Sequence, residues 1–277
     1  MKSKRLSDKI LYFVICACAA VTVGVLLWII GFIVINGVGS ISWEFLTAPY
    51  STEGGGIMPM IISTFYMVLL TIVIATPIGI FTAIYLNEYA HEGKIVAVIR
   101  FAIDSLSGIP SIIYGLFGMI FFVTALKFDY SILSGSITLS IMILPTIIRT
   151  SEESLKSVPV SFKEGSLGLG ASKPRTIFKI ALPSAMTGIV TAVILSIGRI
   201  VGETAAVYLT AGMTPQVPEN IMSSGRTLSV HLYMLAKEAV TPDAFSKAYA
   251  TGTVLIITVF IINTLANFLA KKLKKEY

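Results

Sequence analysis

Residues 10–35 read I-L-Y-F-V-I-C-A-C-A-A-V-T-V-G-V-L-L-W-I-I-G-F-I-V-I, a block without a charged side chain. A helix of about 20 apolar residues spans the roughly 30 Å of hydrocarbon in a bilayer. Lipid offers the backbone no hydrogen-bond partners, and a helix satisfies its N–H and C=O groups within one segment. This stretch therefore reads as a membrane span, and it sets the class of fold. Cys16 and Cys18 both lie in it, too few and too close for a disulfide framework or a structural metal site. They read as small buried apolar residues. The run is also too long for a signal peptide.

The same pattern continues outward. Of the 277 residues, 55% are hydrophobic and 13% charged, against about 25% charged in soluble proteins. A soluble enzyme is excluded. Further apolar blocks run from Ile57 to Leu86, with Pro77 inside, and from Ile95 to Leu126, with Arg100, Asp104 and Pro110. Others run from Ile132 to Ile148, from Ala185 to Ala211 with Arg199 and Glu203, and from Tyr249 to Ala270. The chain is expected to be an all-α integral membrane protein with six transmembrane helices.

Cations set its orientation. With the N-terminus inside, sixteen Lys and Arg fall in inside segments and four in outside ones (Lys127, Arg226, Lys237 and Lys247), with Arg199 in the membrane. The bias places both termini in the cytoplasm. The basic excess is then a topology signal, and nucleic acid is not an expected partner. His91 and His231 fall on opposite sides, which argues against a shared metal site, and neither has a catalytic triad around it.

The inside segment 149–184 holds E-G-S-L-G-L-G-A-S-K-P-R-T-I-F-K-I-A-L-P, Glu164 to Pro183. Ser161 with Glu164 three residues on suggests a capped short helix. Gly168 and Gly170 suggest a turn open to close approach, and Pro174 a second helix start bearing Ile177, Phe178 and Ile180. No Gly-Lys-Ser/Thr follows the glycines, so they are not a nucleotide loop. An interfacial loop on lipid headgroups and a docking helix for a cytoplasmic partner both fit.

This segment resembles the cytoplasmic signature of ABC importer permeases in Glu164, Gly170, Ile180, Leu182 and Pro183. Gly165 and Ser166 replace the two alanines of that signature with equally small residues. The chain further resembles the A-type permease subunit of the bacterial phosphate importer. The carrying stretches are G-G-G-I-M-P from Gly54, P-I-G-I-F-T-A-I-Y-L-N-E-Y from Pro77 and S-G-I-P-S-I-I-Y-G-L-F-G from Ser107. G-R-I-V-G-E-T-A-A from Gly198 and L-S-V-H-L-Y-M-L-A-K-E from Leu228 continue it.

The resemblance implies a six-helix type I importer permease in the bacterial cell membrane, with a cytoplasmic coupling helix. It implies half of an ATP-driven path for inorganic phosphate. The expected partners are a C-type phosphate permease subunit, two copies of a cytoplasmic ATPase and an extracytoplasmic phosphate-binding protein, all around the lipid bilayer. No cofactor is expected on this chain, with ATP and Mg on the partner ATPase, so the chain itself is not expected to be an enzyme. Residues 1–53 would form the cytoplasmic N-terminus, first helix and outer loop, and 54–277 the transport domain. Sulfate or molybdate import is the alternative within the class. A secondary transporter is the alternative outside it, and it would require repeated halves.

Arg199 and Glu203 are four residues apart, which on one helix puts them on one face near mid-bilayer. Such a pair either locks helix packing or lines an anion path, where the Arg fork fits phosphate oxygens. Glu203 would offset Arg199, so that the anion is released, or accept the proton that hydrogen phosphate carries. Arg100 and Asp104 have the same spacing nearer the cytoplasm. Arg100 is read as reaching for the headgroups, with Asp104 pairing to it or to the partner subunit. Ser107 and Ser111 share a helical face that fits a path lining or close helix packing. Arg226 is placed to meet anions outside, beside a short helix around Leu228 to Ala239. Glu164, Gly165, Ser166, Gly168, Gly170 and Ala171 form the expected ATPase-coupling surface.

Overall fold

The computed structural model describes the backbone of residues 2–51, 55–91, 93–238 and 242–275, with side chains for 7–51, 55–91, 93–238 and 244–268. Gly54, where the expected transport domain and its first matching stretch begin, lies outside the described residues. So do the side chains of the basic residues at both termini other than Lys9.

All regular structure among the described residues is helical. In chain order it comprises α1 (Lys2–Val38), α2 (Trp43–Thr47), α3 (Met58–Ile84), α4 (Lys94–Ser107), α5 (Ser111–Gly118) and α6 (Ile132–Lys156). Then follow α7 (Val160–Gly168), α8 (Lys173–Thr176), α9 (Leu182–Gly202), α10 (Ala205–Thr210), α11 (Leu228–Glu238) and α12 (Pro242–Lys275). Wider π turns prolong α3 to Tyr89 and α5 to Ala125, and Ile177–Ala181 joins α8 to α9. Local chemistry starts several of these helices. Ser42 Oγ accepts from Phe45 N at 3.0 Å, Ser131 Oγ accepts from Ser134 N at 3.1 Å, and Pro59 opens α3 where no N–H is needed.

Five helices are long and apolar enough to cross a membrane, and α4 with α5 makes a sixth candidate bent by 103°. The protein is a multi-spanning membrane protein. Its helices divide by burial. The most apolar window of α1 is 0% buried, that of α6 67%. α6 packs between α3 and α9, joining Met67, Leu139, Met142, Ile143, Ile197 and Val201 in one core. Small residues allow the close approaches. A Cβ on Gly79 would lie 2.5 Å from Ile147 Cγ2, and one on Gly115 would lie 2.8 Å from Ala206 Cα. A buried hydroxyl also bridges helices: Ser140 Oγ bonds to Ser136 O within α6 at 2.7 Å and shares its proton with Thr71 O of α3 at 3.2 Å.

Several expectations change here. Cys16 and Cys18 are exposed, because α1 touches the rest chiefly through its packing on α12. The block Ile95–Leu126 is not one helix. α4 ends at Ser107 with Gly108 as its cap, and Pro110, extended (φ −60°, ψ 142°), caps the start of α5. Ser107 and Ser111 therefore share no helical face. The fourth block continues as helix two turns past Ile148 to Lys156. The fifth starts earlier, at Lys173, and ends at Gly202 instead of reaching Ala211. The sixth runs beyond Tyr249–Ala270 at both ends.

Candidate functional site

Glu203 caps the end of α9, and its extended ψ (φ −72°, ψ 126°) turns the chain that follows out of the helix. Its Oε1 accepts from Ala206 N at 3.2 Å, tying the carboxylate to the start of α10. Its carbonyl accepts from Ser229 Oγ at 2.7 Å. Glu203 thus ends the helix with its carboxylate bound at the start of α10, and it makes no ion pair with Arg199 among the described residues. Arg199 is exposed, with no ion pair among the described residues. Nearby, the Tyr114 hydroxyl donates to Leu106 O at 2.7 Å and ties α5 to α4 across their bend.

The exposed side of α9 is mostly polar. Ser184, Thr187, Thr191, Leu195, Arg199 and Gly202 recur every three or four residues, one line along the helix. Ser184 and Thr191 return their hydroxyls to backbone carbonyls, at 2.7 and 2.8 Å. That face suits water or a neighbouring polar surface better than hydrocarbon.

Arg226 lies between α10 and α11. Its Nε donates to Met213 O at 2.8 Å, its Nη1 is 3.4 Å from His231 Nδ1, and its guanidinium sits 5.5 Å from the Tyr50 ring centre. These neutral partners orient the cation without cancelling it. Burial, and then the Arg226 charge, push the His231 pKa down to about 4, so the ring is neutral at pH 7.

Asp104 does not pair with Arg100. Arg149 of α6 reaches Asp104, while Arg100 lies 2.7 Å from Glu152 Oε1. Lys156 approaches the same oxygen at 2.8 Å, and Glu152 is 7% exposed. Ser107 Oγ turns back to Asp104 O at 2.8 Å. Ser111 sits half-buried on α5. The α4–α6 charges thus form a paired cluster, around a cavity of about 270 Å³, with no described contact to Arg199. The i, i+4 spacing of Glu152 and Lys156 was visible in the sequence. The Arg149–Asp104 contact crosses 45 residues and had no such signal.

In the segment after α6, α7 starts at Pro159 without a side-chain cap, so Ser161 lies inside the helix and forms no capping box with Glu164. Gly170 takes φ +83° and carries the turn, and Pro174 sits in the first turn of α8. Ile177 is buried and Phe178 exposed, so the two do not share one apolar side. Lys163 pairs with Glu88 beyond α3, Ser166 Oγ is 2.9 Å from Thr176 Oγ1, and Lys173 Nζ lies 4.8 Å from the Tyr89 ring centre. These contacts hold the segment against the bundle. Its other side stays open. Glu164 is exposed, a Cβ on Gly165 or Gly168 would meet nothing within 4 Å, and Leu169 is 91% exposed. Gly165, Ser166, Gly170 and Ala171 line a cavity of about 960 Å³ with Arg175, Lys179, Ser184 and Thr187. Among the described residues no group of three or more His, Cys, Asp or Glu could hold a metal ion.

Residues 75–276 match the family described as binding-protein-dependent transport system inner membrane component. A probable ABC transporter permease of Bacillus subtilis, YqgI, is 34% identical over 99% of this chain and 98% of its own length. The phosphate transport system permease protein PstA of Yersinia pestis is 34% identical over 90% of this chain and 85% of its own. A PstA homolog of Mycoplasma genitalium is longer; at 34% identity, the match covers 92% of this chain but 40% of that protein. Among solved structures, a bacterial alginate ABC transporter superposes with a TM-score of 0.70 at 13% identity, covering 97% of this chain and 96% of that one. The MetNI methionine transporter in an inward-facing conformation gives 0.58 at 19%, covering 79% and 94%.

Proposed function

This chain belongs to the family of binding-protein-dependent transport inner membrane components, and from that premise we propose that it forms half of an ATP-driven import path for inorganic phosphate. The observation that carries the proposal is Arg199, an exposed cation without an ion pair among the described residues, on the polar line of a membrane-length helix. Phosphate is favoured over other oxyanions by the repeated similarity to phosphate permeases.

In this reading six spans cross the membrane, with the bent α4–α5 pair as the third and both termini in the cytoplasm. Residues 1–53 supply the N-terminus, first helix and outer loop, and 54–277 the transport domain. A second, C-type permease closes the path, and a binding protein delivers phosphate outside. The open side of α7 with the Gly170 turn is the coupling helix for one of two ATPase subunits. Its exposed glycines and Leu169 support this, because no described residue packs against them.

Arg199 offers the passing anion a fork of donors. Glu203 faces the same break and limits how tightly the anion is held, since a conducting site must also release. Arg226 meets the anion near the outer end, and Ser111 lines the wall beside Tyr114. Asp104 and Ser107 stay on the rim, bound to Arg149 and to the α4 backbone. Each ATPase cycle shifts the bundle between outward- and inward-open states, which must differ in their contacts with α7.

The test is uptake by reconstituted complexes. Arg199→Ala should stop phosphate uptake while the complex assembles and hydrolyses ATP. Glu164→Ala should lower uptake per ATP hydrolysed. Full uptake by Arg199→Ala would overturn the path. Competition by sulfate or molybdate equal to that by phosphate would overturn the substrate.

A further inference from the structure

The break after α9 leaves the half-buried Glu203 carbonyl to be met from another element, and an unmet acceptor there is costly. Ser229, on another helix, meets it. Its hydroxyl donates to Glu203 O at 2.7 Å, and the residue is 5% exposed. Because that proton is committed, the 3.0 Å contact between Ser229 Oγ and Thr227 Oγ1 has Thr227 as the donor. Thr227 Oγ1 in turn accepts from Val230 N at 3.4 Å. Leu228 N donates to Thr64 Oγ1 of α3 at 2.9 Å, while the Thr64 hydroxyl donates to Met60 O at 2.7 Å. Each hydroxyl proton in this set has one role.

Three elements therefore meet at the first turn of α11. α3 holds its backbone through Thr64, Arg226 lies two residues before it, and its Ser229 reaches the break. Glu203 is held at both ends, by Ser229 at the carbonyl and by Ala206 N at the carboxylate. A movement of α11 away from the break would strand the Glu203 carbonyl.

We propose that Ser229 is a positioning residue of the anion path, setting the Glu203 carboxylate relative to Arg199 and linking the break to the turn that follows Arg226. This rests on the reading of Arg199 and Glu203 as path residues. Ser229 itself need not touch the anion. It acts through Glu203.

The test compares wild type, Ser229→Ala and Ser229→Cys in the reconstituted complex, with uptake expressed per assembled complex. Cysteine nearly conserves the volume but is a weak donor. Both variants should lower the maximal phosphate rate about ten-fold, with a smaller change in KM and a shift in sulfate competition. In a Glu203→Gln background, Ser229→Cys should change selectivity no further, since its route of action is gone. The proposal is overturned if Ser229→Cys transports with wild-type rate and selectivity, because volume alone then matters. It is overturned equally if the selectivity effects of Ser229→Cys and Glu203→Gln add in full. A normal Arg199→Ala complex would instead sink the path reading beneath it, whatever the Ser229 variants do.

Discussion

The protein places charge in membrane-length helices in two ways. Between α4 and α6, cations meet carboxylates: Arg149 pairs with Asp104, and Arg100 and Lys156 share Glu152. At the α9–α10 break, Arg199 has no such partner among the described residues, and Glu203 is engaged by backbone N–H and hydroxyl donors instead. A balanced cluster can hold helices together, because its charges are already satisfied. A lone cation costs stability unless water or a ligand meets it. In the proposed path, this contrast separates structure from transport.

The hardest test of that contrast is Arg199→Ala. It removes no ion pair, so assembly should be unaffected, yet uptake per complex should drop about a hundred-fold or more. Arg199→Lys keeps the charge but not the planar fork and should recover only part of the rate. An unfolded Arg199→Ala complex would show that the break, too, is structural.

Glu152→Gln asks the opposite question of the cluster. It leaves two cations with a neutral amide beside a nearly buried oxygen. Breaking a buried pair costs about 3–5 kcal/mol, reduced here to about 2 because Arg100 and Lys156 are 41% and 54% exposed. Thermal unfolding of the purified complex should report that loss, with turnover per folded complex unchanged. Lost turnover at unchanged stability would erase the distinction between the two regions.

Much of this was legible beforehand, and the illegible parts have physical reasons. Long apolar blocks are self-sufficient as helices, so their existence could be read without neighbours. The Gly170 turn, the Pro174 helix start and the short helix at 228–238 follow from local backbone preferences. The break at Glu203 was not visible, because Gly202 and Thr204 are tolerated in membrane helices and the stabilising hydroxyl of Ser229 lies 26 residues away. The partners of Arg100 and Asp104, read as the headgroups for one and Arg100 or a partner subunit for the other, are hidden for the same reason. Their spacing suggests a bond within α4, but α6 continues as helix past Ile148 and presents Arg149 and Glu152 to them. Spacing identifies what can meet on one helix, and packing then chooses among partners.

His231 sharpens the comparison from the side of the break. Its folded pKa, about 4, lies below the ordinary 6.5, because burial and Arg226 both disfavour a second cation there. The unfolded chain thus binds more protons between these values, and stability falls as the pH drops from 6.5 toward 4. From pH 7 to 5.5 the contribution should shrink by about 1 kcal/mol. His231→Gln should flatten that part of the pH profile of thermal unfolding.

Asp104→Asn should have the smallest effect, and its smallness is informative. The two side chains of the Asp104–Arg149 pair are 61% and 46% exposed, unlike Glu152 a turn along the same interface. Water screens an exposed pair, and ordering two flexible side chains offsets most of the attraction, leaving about 0.5 kcal/mol. The amide can still accept one hydrogen bond from Arg149. Unfolding temperature and uptake should both stay near wild type. If Asp104→Asn instead halts uptake while the complex stays folded, Asp104 belongs with Arg199. The cluster would then hold one path residue among its structural charges, and the line between the two regions would have to be redrawn through α4.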